Sequence, residues 1–262
     1  MYAYGYGYGY KFGWAKGRAR AWTPAKLFAG STRGALYDAD IDESVTIASG
    51  VVSQWKDLSG FGHHLTQATS FARPVRESIN GHWWVAADGM DDNLRTEDNF
   101  DLSHTDKITI WAVMVRGAGN PGRIIVEMGN TYNHAGSFYM STESGIRANM
   151  GGPGYMQKSL DTYTSLTERK VIVALMDRST GEPPLIYDGG VLTDGSSAIS
   201  GTLTGPYLGN KTLSLFARWN ASSAVATTYG ASKLSALGVI DRLLTEEEIA
   251  KLTAYYADRA GV

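Results

Sequence analysis

The shortness of its apolar runs is what most limits the folds open to this chain. Ile108-Thr109-Ile110-Trp111-Ala112-Val113-Met114-Val115 and Val171-Ile172-Val173-Ala174-Leu175-Met176 are nearly continuous and of strand length, as expected where both faces of a strand are covered. Ile124-Ile125-Val126 follows the turn signal Gly119-Asn120-Pro121-Gly122. Ile146, Ala148 and Met150 alternate with Arg147 and Asn149, which predicts a half-exposed strand. Leu185-Ile186-Tyr187, Asp188-Gly189-Gly190 and Val191-Leu192 read as a hairpin. The runs from Leu213 to Ala217 and from Leu234 to Ile240 supply two late strands. Repeated short strands punctuated by 31 glycines predict an all-β sandwich of antiparallel sheets.

One segment breaks this pattern. Thr245 and Glu248 have capping-box spacing, and Glu246, Glu247 and Glu248 complement a helix N-terminus. Ile249, Leu252 and Tyr256 then recur at helical spacing, and Gly261 stands where a C-terminal cap belongs. The expectation is a single C-terminal helix laid on the sandwich by that narrow stripe.

The N-terminus obeys neither pattern. Tyr2, Tyr4, Tyr6, Tyr8 and Tyr10 alternate mostly with glycine, so an extended chain would put every ring on one face and leave the other bare. Such a stretch cannot build a core alone, which predicts that a partner surface orders it. The first 37 residues carry six Lys/Arg and no carboxylate, leaving 18 basic against 26 acidic residues, a net −8, for the remainder. A basic leader on an acidic body predicts docking to an acidic protein surface, with Tyr2, Tyr4, Tyr6, Tyr8, Tyr10, Trp14, Arg18 and Arg20 as anchoring residues. A nucleic-acid arm is the lesser reading of the same charge. The boundary is expected near residue 34, with an extended arm over 1–34 and the sandwich over 35–262.

The chain has no cysteine, which excludes disulfides and thiolate metal sites. It lacks an apolar signal segment and any run near the ~18 apolar residues of a membrane span, so it is expected to be made in a cytoplasm and to leave within a particle, if at all.

Several stretches in order resemble the laminin-G/concanavalin-A-like domains of bacteriophage structural proteins. Ala35-Leu36-Tyr37-Asp38-Ala39 is similar to that family's opening "LWLDA". The run from Val52 to Gln67, which contains Trp55-Lys56-Asp57-Leu58-Ser59-Gly60 and His63-His64, resembles "VSQWKDKSGNGNHATQ". Arg73-Pro74, Asn80-Gly81 and Asp88-Gly89-Met90-Asp91-Asp92 follow in the family's order, and Asp241-Arg242-Leu243-Leu244-Thr245 resembles its closing motif. Ala87 stands where the family has Phe, and the leader lies outside the pattern. The resemblance implies a concanavalin A-like jelly roll. It also implies a place in a virion. The expected role is a capsid-decoration or tail-fibre component whose outward domain binds host glycans, without enzymatic activity. The alternative is a free carbohydrate-binding module or polysaccharide-degrading enzyme of the same fold.

Glycoside hydrolysis needs two carboxylates flanking the bond. Asp38, Asp40 and Asp42 have strand spacing but fall at the family's domain opening, and read as a solvated turn or cap. His63-His64 reads as a loop rather than a metal pair, because adjacent strand residues face opposite ways. His134, with Glu127 and Asn130 near in sequence, is a general-base candidate without a partner. Asp91 and Asp92 are candidate Ca²⁺ ligands, against the ordinary use of Asp beside glycine in turns; no other cofactor is expected. Trp83, Trp84 and Trp219 are candidates for a sugar-stacking surface; of the adjacent pair, one ring is expected in the core and the other outside.

Overall fold

The computed structural model describes residues 22–117, 124–129, 136–142, 145–151, 154–160, 167–201, 203, 208–220 and 225–261. The anchoring residues Tyr2, Tyr4, Tyr6, Tyr8, Tyr10, Trp14, Arg18 and Arg20 lie outside them, as do Asn130 and His134.

The strands form two antiparallel walls. In hydrogen-bonded order the first runs Ser196–Ser200, Tyr155–Leu160, Ile146–Gly151, Phe138–Ser141, Ile124–Met128, Leu213–Leu215, Leu94–Thr96, Leu65–Thr66, Val51–Trp55 and Val45–Ala48. The second runs Val191–Thr193, Leu185–Asp188, Arg169–Asp177, Lys107–Val115, Lys233–Ile240 and Gly34–Asp38. The hairpin of Val75–Ile79 and His82–Ala86 joins them, pairing with Val51–Trp55 on one side and Lys233–Ile240 on the other.

Two apolar layers explain why the longest runs are continuous. Along Lys107–Val115, Ile108, Ile110, Ala112 and Met114 pack between the walls. Trp111, Val113 and Val115 point the other way, into a second layer beneath the C-terminal helix. A strand covered on both faces has no position for a polar alternation. The helix is Glu246–Ala260, with the expected capping box, Gly261 in the left-handed conformation at its end, and Ile249, Leu252 and Tyr256 buried. Gly189 and Gly190 make the hairpin turn with φ of 57° and 84°, the left-handed pair that a two-residue turn of this kind requires. Among the described residues no helix is long and apolar enough to cross a membrane.

The expected boundary at residue 34 falls too late. Pro24–Phe28 forms a short 3-10 turn that buries Leu27 and Phe28 in the second layer, and Gly34 already belongs to a strand. Phe28 meets Trp111 with ring centroids 6.1 Å apart, and Trp22 meets Tyr255 edge-on. The missing carboxylates group residues 22–34 with the leader in composition, whereas their apolar side chains place them on the sandwich.

Candidate functional site

A polar row crosses the outer face of the first wall. Thr66 pairs with Arg95, Arg95 with Ser214, Ser214 with Glu127, Glu127 with Tyr139, Tyr139 with Asn149, and Asn149 with Gln157. Neighbours along these strands (Leu65, Leu94, Leu213, Leu215, Met128, Phe138, Met150 and Met156) face the core. The two-residue strand period thus sends every second side chain outward, and strand register aligns them. Asn149 is fully buried, contrary to the half-exposed strand expected there. Among the described residues neither its amide nitrogen nor its amide oxygen has a hydrogen-bond partner.

At one end of the row lies a cleft of about 520 Å³, lined by Thr66, Gln67, Asn93, Arg95, Glu97, Trp219 and Tyr229 among others. Trp219 stands on a small hairpin, Arg218–Asn220 paired with Val225–Thr227. That hairpin leaves the wall through Phe216, which takes a φ of 61° while its ring is completely buried. A left-handed bulky residue costs about 1–2 kcal/mol, and burial of the ring holds it there. The Arg95 guanidinium lies 3.7 Å from the Trp219 ring centroid. Gln67 donates to Asn93 Oδ1 at 2.9 Å and accepts from the Thr69 N–H at 3.0 Å, so the cleft's amide groups are fixed in orientation. Thr66 donates to Glu97 Oε1 at 3.3 Å.

Beside the cleft, Glu127 is buried and both its carboxylate oxygens accept from Arg218 Nε, at 3.0 and 2.9 Å. Burial raises its pKa to about 7 even against the Arg218 charge. The folded chain therefore holds a proton that the unfolded chain has released, between the ordinary carboxylate value of 4.5 and about 7. Stability is expected to fall as pH rises through that window. Asp92, raised to about 6 mainly by burial, adds to the lower part of the slope. Chemical denaturation of Glu127→Gln at about pH 5 and about pH 8 is expected to show a smaller difference between the two pH values than the parent chain. An unchanged difference would remove Glu127 as its source.

The other sequence candidates separate clearly. Trp84 is fully buried in the second layer, while Trp83 faces outward beneath the Arg76 guanidinium, 4.5 Å from its ring centroid. Of the three tryptophan candidates, Trp219 is the one in the cleft. The run around His63-His64 is a loop wound about a buried carboxylate. Asp57 accepts from the N–H groups of Leu36, Ser59 and His63, and the Asp57 N–H donates to His64 Nδ1. Asp38, Asp40 and Asp42 are not a solvated cap. Asp38 is buried against Arg259, Asp40 meets Arg259 and His82, and only Asp42 is exposed, on Arg76. Charge alternation looks alike in a turn and in a buried network; the partners come from distant segments.

Asp88, Asp91 and Asp92 bring one carboxylate oxygen each within 4.8 Å of the others. They fit as the carboxylate part of a Ca²⁺ site, which takes 6–8 oxygens in all. Two of those acids are already engaged by the loop itself. Asp92 Oδ2 accepts from the Asp88 N–H at 2.9 Å, and Asp88 Oδ1 from the Met90 N–H at 2.7 Å.

Sequence reasoning missed Arg95, Gln67, Asn93 and Glu97. Leu94-Arg95-Thr96 and Leu213-Ser214-Leu215 show the alternation plainly, but nothing local says that these strands are neighbours.

No family model and no curated protein matches the chain. Solved structures do. The binding domain of botulinum neurotoxin serotype D, in complex with N-acetylneuraminic acid, is 10% identical with a TM-score of 0.58 over 84% of this chain. The chain spans 50% of that structure's length. Domain 4 of an extracellular arabinanase from Geobacillus stearothermophilus, in complex with arabinotriose, is 12% identical with a TM-score of 0.56, over 85% of this chain and 98% of that one. Trypanosoma rangeli sialidase with the inhibitor DANA is 11% identical with a TM-score of 0.50, over 84% of this chain and 32% of that one. At such identities the likeness establishes the β-sandwich fold alone.

Proposed function

We propose that this chain is a carbohydrate-binding β-sandwich that presents the Trp219 cleft to glycans and is anchored in a virion, as a capsid or tail component, through its Tyr/Gly leader. The cleft carries the sugar-binding half. It sets an aromatic ring beside oriented amides, hydroxyls and carboxylates, the mixture of apolar face and fixed polar partners that a sugar ring requires. Sandwiches of this fold solved with N-acetylneuraminic acid and with arabinotriose support the reading. Binding without hydrolysis is the expected activity, because Glu127, the described carboxylate with the most acid-catalyst-like environment, has both oxygens on Arg218. The virion half rests on the basic leader and on the ordered motifs that resemble those of phage structural proteins. Many copies in one particle would turn weak single-site binding into useful avidity.

The test is a glycan array probed with the full chain displayed at high valency, followed by recovery of the bound glycans. Binding that disappears in Trp219→Ala, with glycans recovered intact, is expected. A blank array overturns the sugar-binding half, and shortened glycans overturn the non-enzymatic reading. For the anchoring half, a chain lacking residues 1–21 should remain soluble and bind glycans yet fail to enter particles; normal incorporation defeats it.

A further inference from the structure

The cleft holds a cation that, among the described residues, forms no ion pair: Arg95. Other covered arginines have anionic or carbonyl acceptors: Arg259 on Asp38, Arg218 on Glu127, Arg242 on Glu248 and Arg76 on Asp42, with Arg178 on the Gly151 carbonyl, Arg169 on that of Arg259 and Arg73 on those of Gln67 and Ala68. Arg95 is different. Its guanidinium carbon sits over Trp219, 3.7 Å from the ring centroid, and among the described residues no acceptor engages its side-chain N–H groups. Partial burial lowers its pKa through loss of hydration. The ring backs the guanidinium on one side while its N–H groups meet no acceptor among the described residues, an arrangement suited to bidentate pairing with a planar oxyanion.

Resting on the sugar-binding reading, we infer that this cleft takes an acidic sugar, whose carboxylate pairs with Arg95 while its hydroxyls meet Thr66, Gln67 and Glu97. Asp91 and Glu97 line the same cleft. They repel an anion everywhere except against Arg95, and they accept hydroxyl hydrogens, so the orientation of the sugar follows from charge alone. A neutral sugar would leave the guanidinium half-dehydrated and unpaired.

The experiment is calorimetric titration of the full chain with a panel of uronate and N-acetylneuraminate oligosaccharides, each beside its carboxyl-reduced form and a sulfated neutral oligosaccharide of the same length. The best acidic member should bind about tenfold or more tighter than its reduced form, with the preference shrinking as salt rises. Arg95→Gln should equalise the two forms, and Arg95→Lys should restore only part of the difference, since a point charge lacks the fork. The inference is overturned by equal binding of acidic and reduced forms to the parent chain, by a preference that survives Arg95→Gln, or by stronger binding of the sulfated sugar. The acid-versus-reduced comparison on the parent chain needs no variant to fold. If neutral sugars bind through Trp219 without any acid preference, this inference alone fails; if neither form binds, the sugar-binding reading fails with it.

Discussion

Gly238→Ala is expected to cost the domain about 3 kcal/mol, the upper end of what overpacking a core costs, out of the roughly 5–15 kcal/mol that holds a typical domain folded. Gly238 lies opposite Trp111 in the register of Lys233–Ile240 with Lys107–Val115. A β-carbon there would stand 1.9 Å from Trp111 Cζ2 and 2.2 Å from Cε2. Neither ring nor strand can retreat. Trp111 is fully buried, with Phe28 against it and the helix residues Ile249, Leu252 and Tyr256 in the same layer. Its strand is paired on both sides, to Lys233–Ile240 and to Arg169–Asp177. The glycine is therefore required by the space the indole occupies. Urea denaturation and soluble yield measure the loss. Adding Trp111→Leu to Gly238→Ala should recover part of it, because the smaller side chain vacates the contact. A Gly238→Ala chain with the parent's midpoint would show that the indole moves aside freely.

Asp38→Ala is the second large loss, about 3–5 kcal/mol, the usual consequence of leaving one charge of a buried pair without its partner. Arg259 donates to Asp38 from Nη1 at 2.6 Å and from Nη2 at 3.1 Å, and its Nε lies 3.0 Å from Asp40 Oδ2. Asp40 Oδ2 also meets His82 Nδ1, whose other ring nitrogen reaches Asp258 at 3.1 Å. These contacts fasten the last turn of the helix to the strand that opens the sandwich. A cation in that turn also complements the helix dipole. Replacing both partners, Asp38→Leu with Arg259→Met, should cost less than either Asp38→Ala or Arg259→Ala, since neither member of the pair is left without the other, and Asp40 keeps His82 and the Trp83 N–H. Denaturation of the four chains gives the coupling directly. Two small, additive single losses would show that the pair contributes little.

The helix was legible from residues 245 to 261 because every signal lies within a few residues: Thr245 caps Glu248, the apolar stripe repeats each turn, and Gly261 accepts a left-handed φ at no steric cost. The hairpin through Gly189 and Gly190 was legible for the same reason. The strand Ile146–Gly151 was legible as a strand, but its exposure was not. Asn149 alternates with core residues like any outward side chain, and only its neighbours across the wall and what covers them make it buried. Asp38 and Asp40 misled for a related reason, since their partners Arg259 and His82 come from elements far along the chain.

Periodicity, caps and turn chemistry are properties of adjacent residues, so the chain itself determined an antiparallel sandwich, a single C-terminal helix and the apolar side of strands that alternate, such as Ile146–Gly151. The candidate site needed the third dimension. Arg95 and Trp219 belong to different strands, and their stacking depends on which strands pair, in what register, and on the turn at Phe216 that carries the Trp219 hairpin back over the wall. Pairing between distant strands is set by the sum of many weak contacts over the whole sheet, and no short stretch of sequence contains that sum.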